Sequence, residues 1–194
     1  LAGAMQTPGC VLIAGTGSIC YGKNAAGEAF RCGGGGHIID DPGSGYALGR
    51  DALAAALRTE DGRFSENALH GAVMDAVGGN GIQSIFDFVY FSHRGKSDIA
   101  ALAPLVLQCA AQGDAVSLDI LRRGAAELAR LVSAVMGRLG LEKGSPCALA
   151  GGLLAEDNVY RRTVCDTLAP FCRPSAPEHD ALFGAVQLAL AAVQ

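Results

Sequence analysis

Val11-Leu12-Ile13-Ala14-Gly15-Thr16-Gly17-Ser18-Ile19-Cys20-Tyr21 decides the fold of this chain: two short apolar runs joined by a glycine-bearing turn. Runs of this length, bounded by turn residues, are strands. A third run, Glu28-Ala29-Phe30-Arg31-Cys32, follows the turn Lys23-Asn24-Ala25-Ala26-Gly27, so the three form a β-meander. After Asp40-Asp41-Pro42-Gly43-Ser44-Gly45 the period changes. Tyr46, Leu53 and Leu57 then mark one face of a helix that ends near Asp61-Gly62.

Further on, helices are predicted near Glu66 to Ala76, Gln83 to Phe91 and Ile99 to Ala111. The clearest helix starts at an Asp114 cap, with Leu121, Ala125, Leu128, Val132, Val135 and Leu139 at alternating steps of four and three. An apolar strand at Cys147 to Ala150 runs into Gly151-Gly152. A helix near Asn158 to Leu168, a short strand around Phe171 to Arg173 and a closing helix from Pro177 to Val193 follow. This order predicts an α/β fold: one mixed sheet that starts with a meander, and helices packed on its faces. No internal repeat or linker interrupts it, so residues 1–194 read as one domain.

The totals fit such a core. Of 194 residues, 50% are hydrophobic and 18% charged, with no Trp and 27 Gly, so small and aliphatic side chains must fill the interior. A net charge of −4, with no Lys/Arg run longer than two, provides no basic stripe for phosphate backbones, which argues against nucleic acid. The uncharged first 22 residues hold five Gly and lack a basic leader, so neither a membrane span nor a signal segment is expected. Seven Cys without a Cys-x-x-Cys pair indicate reduced, buried thiols in a cytoplasm. His70, His93 and His179 share no ligand spacing with them, and no metal site is expected.

Four segments could carry chemistry. Gly15-Thr16-Gly17-Ser18, between two strands, can present consecutive backbone N–H groups and a hydroxyl to anionic oxygens, or can simply be a tight hairpin. Four successive glycines, Gly33 to Gly36, fit a backbone that a ligand approaches closely, or a hinge. Asp40-Asp41 precedes a helix and can cap it or accept hydrogen bonds from a polyol. Gly151-Gly152 ends a strand where open α/β sheets bind ligands, or is a strand-to-helix turn.

Taken in order, Val11 to Ser18, Gly33-Gly34-x-Gly36-His37, Asp41-x-Gly43-Ser44-Gly45-Tyr46, Gly113-Asp114, Ala150-Gly151-Gly152 and Gly184-Ala185 resemble the carboxyl-terminal half of the N-acetylglucosamine kinase and BadF/BadG/BcrA/BcrD ATPase family, within the actin-like sugar kinases. The resemblance implies a ribonuclease-H-like lobe that clamps Mg²⁺-ATP against an amino-terminal lobe, with a sugar in the cleft between them. It assigns Gly15, Thr16, Gly17 and Ser18 to the second phosphate loop, and Ala110, Gly151 and Gly152 to the nucleoside side. Gly34, Gly35 and Gly36 correspond to the sugar loop, and Asp41 to a carboxylate that holds sugar hydroxyls. A cytoplasmic homodimer is the family's common form.

The chain departs from the family where amino-sugar kinases commonly carry Trp, here Gly35, and where an acidic residue often follows the aspartate, here Pro42. The family's general-base aspartate would lie upstream of Leu1, so no catalytic residue is expected in this chain, and the lobe alone should be inactive. The implied activity of the full gene product is ATP-dependent phosphorylation of N-acetylglucosamine or a related amino sugar. Two other readings stay open. One is an ATPase activator of a radical acyl-CoA dehydratase or reductase, with an iron–sulfur cluster at a dimer interface; it needs thiolates presented together, and Cys20 and Cys32, which flank the loops, lie on strand-like segments that speak against them as ligands. The other is a non-catalytic nucleotide- or sugar-binding module.

Overall fold

β1 (Gly9–Ala14), β2 (Ser18–Lys23) and β3 (Ala29–Gly33) form the meander, in a computed structural model that describes residues 7–79, 81–91, 93–179 and 181–191. The sheet has five strands in the order β3-β2-β1-β4-β5, with β4 at Pro146–Ala150 and β5 at Arg173–Ser175. β1 pairs antiparallel with β2 and parallel with β4, which pairs parallel with β5, so the sheet is mixed. β1 is central. Val11 and Leu12 point to opposite faces and both are fully buried, as the near-continuous apolar run requires of a strand covered on two sides.

α1 (Gly45–Glu60), α2 (Ala68–Val77), α3 (Ile82–Phe86), α4 (Lys96–Ala100), α5 (Ala103–Ala111), α6 (Ala115–Leu139), α7 (Val159–Leu168) and α8 (Ala181–Ala191) complete the order. α6 begins at Asp114, whose Oδ1 accepts from the Ser117 amide at 2.7 Å, and ends at left-handed Gly140. All six residues of its predicted stripe are buried. They meet Cys10, Leu12, Ala14 and Cys20 on one face of the sheet, in a core shared with α1, α2, α5 and α7. Opposite them, Val11 and Ala148 form a small separate cluster with Ile13, Tyr21 and Ala150.

Three predicted segments come out differently. The helix expected over 99–111 is broken after Ala100, because Pro104 has no N–H to continue α4 and instead occupies the first turn of α5. The helix expected over 83–91 is α-helical only to Phe86, and Asp87–Phe91 widens into a π-turn. The last strand starts at Arg173 instead of Phe171. The amides of Phe171 and Cys172 both donate to Leu168 O, which prolongs the end of α7 and leaves Arg173 N to join Ser145 O. The closing helix is described over Ala181–Ala191, and the rest of the expected Pro177–Val193 span lies partly outside the described residues. Among the described residues, no single helix is long and apolar enough to cross a membrane.

Five of the seven cysteines are buried. Cys20, Cys10, Cys147 and Cys172 form a row of hydrogen-bonded thiols across the sheet, Cys10 lying opposite Cys147 in register. Hydrogen bonds to Cys10 and burial push the Cys20 and Cys147 thiols well above the ordinary range. Thiolates react and buried thiols do not. A thiol-specific chromogenic reagent on the native protein should therefore react quickly with no more than Cys32 and Cys165, and with the other five only after denaturation. Fast reaction of a third thiol would contradict the packing.

Candidate functional site

Two of the three glycine-bearing segments, Gly15-Thr16-Gly17-Ser18 and Gly151-Gly152, meet at the carboxyl ends of β1 and β4, and the third, Gly34 to Gly36, follows edge strand β3 at the same end of the sheet. The turn after β1 closes on itself, with Gly15 N donating to Gly17 O at 2.9 Å. The first amides of α1 then donate to this turn, Gly45 N to Gly15 O at 2.7 Å and Tyr46 N to Thr16 O at 3.3 Å. Ser44 caps α1 by accepting from Ala47 N at 3.2 Å. Thr16 is exposed, and the Thr16 and Gly17 amides make no hydrogen bond among the described residues. They are donors open to a ligand oxygen at the edge of a helix N-terminus.

Asp41 lies against the same turn. It is buried, with left-handed backbone (φ 57°), and its Oδ1 accepts from Ser18 N at 3.1 Å. The Ser18 hydroxyl donates to Pro42 O at 2.7 Å. The carboxylate comes this close because residue 17 is glycine: a Cβ there would stand 2.8 and 2.9 Å from its two oxygens.

Gly34, Gly35 and Gly36 begin the loop that leads to Asp41. Gly35 N donates to Asp40 Oδ2 and Asp40 N to Gly36 O, both at 2.8 Å, which curls the loop and leaves Ile38 and Ile39 at 83% and 86% exposure. Both aspartates thus accept from backbone amides, Asp40 from its own loop and Asp41 from Ser18.

Gly151 and Gly152 sit on the other side of the β1 turn. Leu153 N donates to Ala14 O at 3.1 Å, and a Cβ on Gly151 would stand 2.4 Å from that same oxygen. Between them and Gly15-Thr16 opens a groove of about 280 Å³, closed by Ala100, Ala101, Ala103 and Pro104 at the α4–α5 junction. Ala110 is not brought to this groove. It is 4% exposed on α5 and belongs to the core. The α4–α5 junction was missed in the sequence, where Pro104 inside a predicted helix was its one available signal. Among the described residues, no three His, Cys, Asp or Glu side chains are placed to hold a metal ion.

The profile of the BadF/BadG/BcrA/BcrD ATPase family matches residues 1–189. This chain belongs to that family. Within it, the chain is 36% identical over 194 residues to an N-acetylmuramic acid/N-acetylglucosamine kinase of Clostridium acetobutylicum, covering 97% of this chain and 63% of that protein. It is 31% identical over 163 residues to an N-acetyl-D-glucosamine kinase of Dictyostelium discoideum, covering 82% of this chain and 50% of that one. A crystal structure described as an N-acetylglucosamine kinase candidate from Chromobacterium violaceum superposes with a TM-score of 0.73 at 31% identity, covering 93% of this chain and 59% of that one. A second, from Porphyromonas gingivalis, at 18% identity and a TM-score of 0.68, shares the fold. The chain therefore spans about three-fifths or less of the length of these relatives. Its architecture is that of the actin-like family members: a mixed sheet opening with a meander.

The two glycines beside Ala14 O make opposite demands. Gly151 has φ 89° and a backbone oxygen where its Cβ would be, whereas a Cβ on Gly152 would meet nothing within 4 Å. Gly151→Ala should lower stability by at least about 2 kcal/mol, a Tm fall of roughly 4–8 °C for a domain this size, and Gly152→Ala should stay within about 0.5 kcal/mol of wild type. Thermal melts of the two variants check this.

Proposed function

We propose that the full-length protein phosphorylates N-acetylglucosamine or a related amino sugar with ATP, and that this chain contributes part of the nucleotide site and part of the sugar site. The observation that carries the reading is the Ser18 N to Asp41 Oδ1 hydrogen bond, which joins a donor-rich turn to a carboxylate on the neighbouring loop. Phosphoryl transfer needs its donor and its acceptor held side by side, and little else from the protein. The names of the C. acetobutylicum and D. discoideum relatives support the sugar class.

On this reading the open amides of Thr16 and Gly17, with the Thr16 hydroxyl, hold phosphate oxygens, and Gly151-Gly152 border the nucleoside. The groove between them carries no charged side chain. Mg²⁺, when bound with the nucleotide, would supply countercharge to the polyphosphate, and the Thr16 and Gly17 amides would orient its oxygens. Gly34 to Gly36 and Asp41 hold the sugar, the carboxylate accepting from its hydroxyls. The base that takes the acceptor proton belongs to the portion of the relatives that this chain does not span, and the chain alone is expected to be silent.

Measuring ADP release by the full-length protein with N-acetylglucosamine, glucosamine, glucose and no sugar tests the reading. Release should require one of the amino sugars, Asp41→Ala should raise its KM by at least about tenfold, as expected for loss of charge-assisted hydrogen bonds, and the 194-residue chain should release none. Slow release indifferent to sugar, accompanied by iron and acid-labile sulfide in anaerobic preparations, would instead identify an activator ATPase.

A further inference from the structure

The turn that carries Asp41 is held on three consecutive residues, and one of the holds comes from far away in the chain. Asp41 Oδ1 and Pro42 O both accept from Ser18. Gly43 O accepts from the hydroxyl of Tyr160, at 2.7 Å and 117 residues distant. Tyr160 sits in the first turn of α7, the helix reached from β4 through Gly151-Gly152, and it is fully buried. Burial pushes its phenol well up, so it stays a neutral donor.

Space is kept for this hydroxyl from two sides. A Cβ on Gly43 would stand 2.9 Å from it and a Cβ on Gly124, in α6, 2.7 Å from it. Gly43 and Gly124 also line a groove of about 730 Å³, but Tyr160 itself is not among its lining residues. Its effect reaches Asp41 through the backbone. Asp41 is one of two non-glycine residues described at positive φ, a conformation that persists only where its surroundings over-determine it.

We propose that Tyr160 is a positioning residue: its hydroxyl, acting through the Gly43 carbonyl, holds the left-handed turn that keeps the Asp41 carboxylate seated on Ser18. The consequence for sugar affinity rests on the reading that Asp41 serves the acceptor. It also ties α7, the helix that follows Gly151-Gly152, to the Asp41 turn.

Tyr160→Phe in the full-length protein removes the hydroxyl and keeps the ring. The KM for N-acetylglucosamine should rise roughly three- to tenfold, the range for one lost hydrogen bond, and by more than the KM for ATP, with kcat of the folded enzyme little changed. A merely structural role would lower Tm and active fraction and leave the sugar KM within twofold of wild type, which would overturn the proposal. Hydrogen exchange separates this from the functional reading. In Tyr160→Phe the amides of Ser18, Asp41 and residues 43–45 should exchange faster while those of mid-α6 do not. Uniform or unchanged exchange overturns the positioning role. If the wild type shows no sugar-dependent turnover, the functional reading fails and the exchange result still decides the role of Tyr160. If Tyr160→Phe does not fold, 3-fluorotyrosine at residue 160 of the otherwise unaltered protein provides the readout. Its resonance should move on saturation with the sugar, and in the absence of turnover it should move with Ser18→Ala. A fixed resonance in either case overturns the proposal.

Discussion

A buried carboxylate on a backbone amide is the contact on which the site depends. Asp41 gives up most of its hydration, and the Ser18 amide at 3.1 Å returns part of what it loses. The contact exists only because residue 17 has no side chain to push the two loops apart. Once it forms, the end of β1, the start of β2 and the start of α1 are one hydrogen-bonded unit, since α1 also donates its first amides to the β1 turn. None of these segments can shift alone, which is what a site that must align two substrates requires.

The carbonyl of Ala14 organises the other side. It terminates the central strand, accepts from Leu153 beyond the double glycine, and lies so close to Gly151 that the turn tolerates no side chain there. The parallel pairing of β1 with β4 from Cys10–Cys147 to Ile13–Ala150 brings the two strand ends level, so their following turns face each other across one groove. Ligands of open α/β sheets bind at such carboxyl ends because amides left unpaired by the sheet point there.

The sequence carried the local parts of this arrangement and not the long-range ones. Strand and helix periods were legible from Val11 to Cys32 and from Asp114 to Leu139 because both segments bury a regular face against each other. Glycines at 15–17, 34–36 and 151–152 were legible as places needing close approach, since glycine has few other uses in such runs. That the first and the last of these meet was not, because it follows from the pairing of β1 with β4, which joins residues more than a hundred positions apart. Ala110 illustrates the limit: it lies six residues, well over one helix turn, beyond Pro104, the last α5 residue to line the groove, and the break before α5 decides which residues of the segment reach it. The row of thiols across the sheet was likewise invisible, for it needs the register of three strands.

Residue 35, where the family resemblance implies Trp, is glycine, and in the structure its partner is Asp40. A Cβ at residue 35 would stand 2.8 Å from Asp40 Oδ2, the atom that accepts the Gly35 amide. A large ring in this position is therefore incompatible with the hydrogen bond that curls the loop here: glycine at 35 and aspartate at 40 belong together. The curl takes over the shaping that a side chain would otherwise do, and it does so with backbone that presents no bulk toward the Asp41 side. On the proposed reading the acceptor site meets peptide groups at residue 35 and the carboxylate of Asp41, while the His37 and Tyr46 rings pack edge to face with centroids 4.7 Å apart. Selectivity among sugars then has to come from hydrogen bonding to hydroxyls and the acyl amide, a form of discrimination that rejects an acceptor lacking a group more strongly than one carrying an extra one.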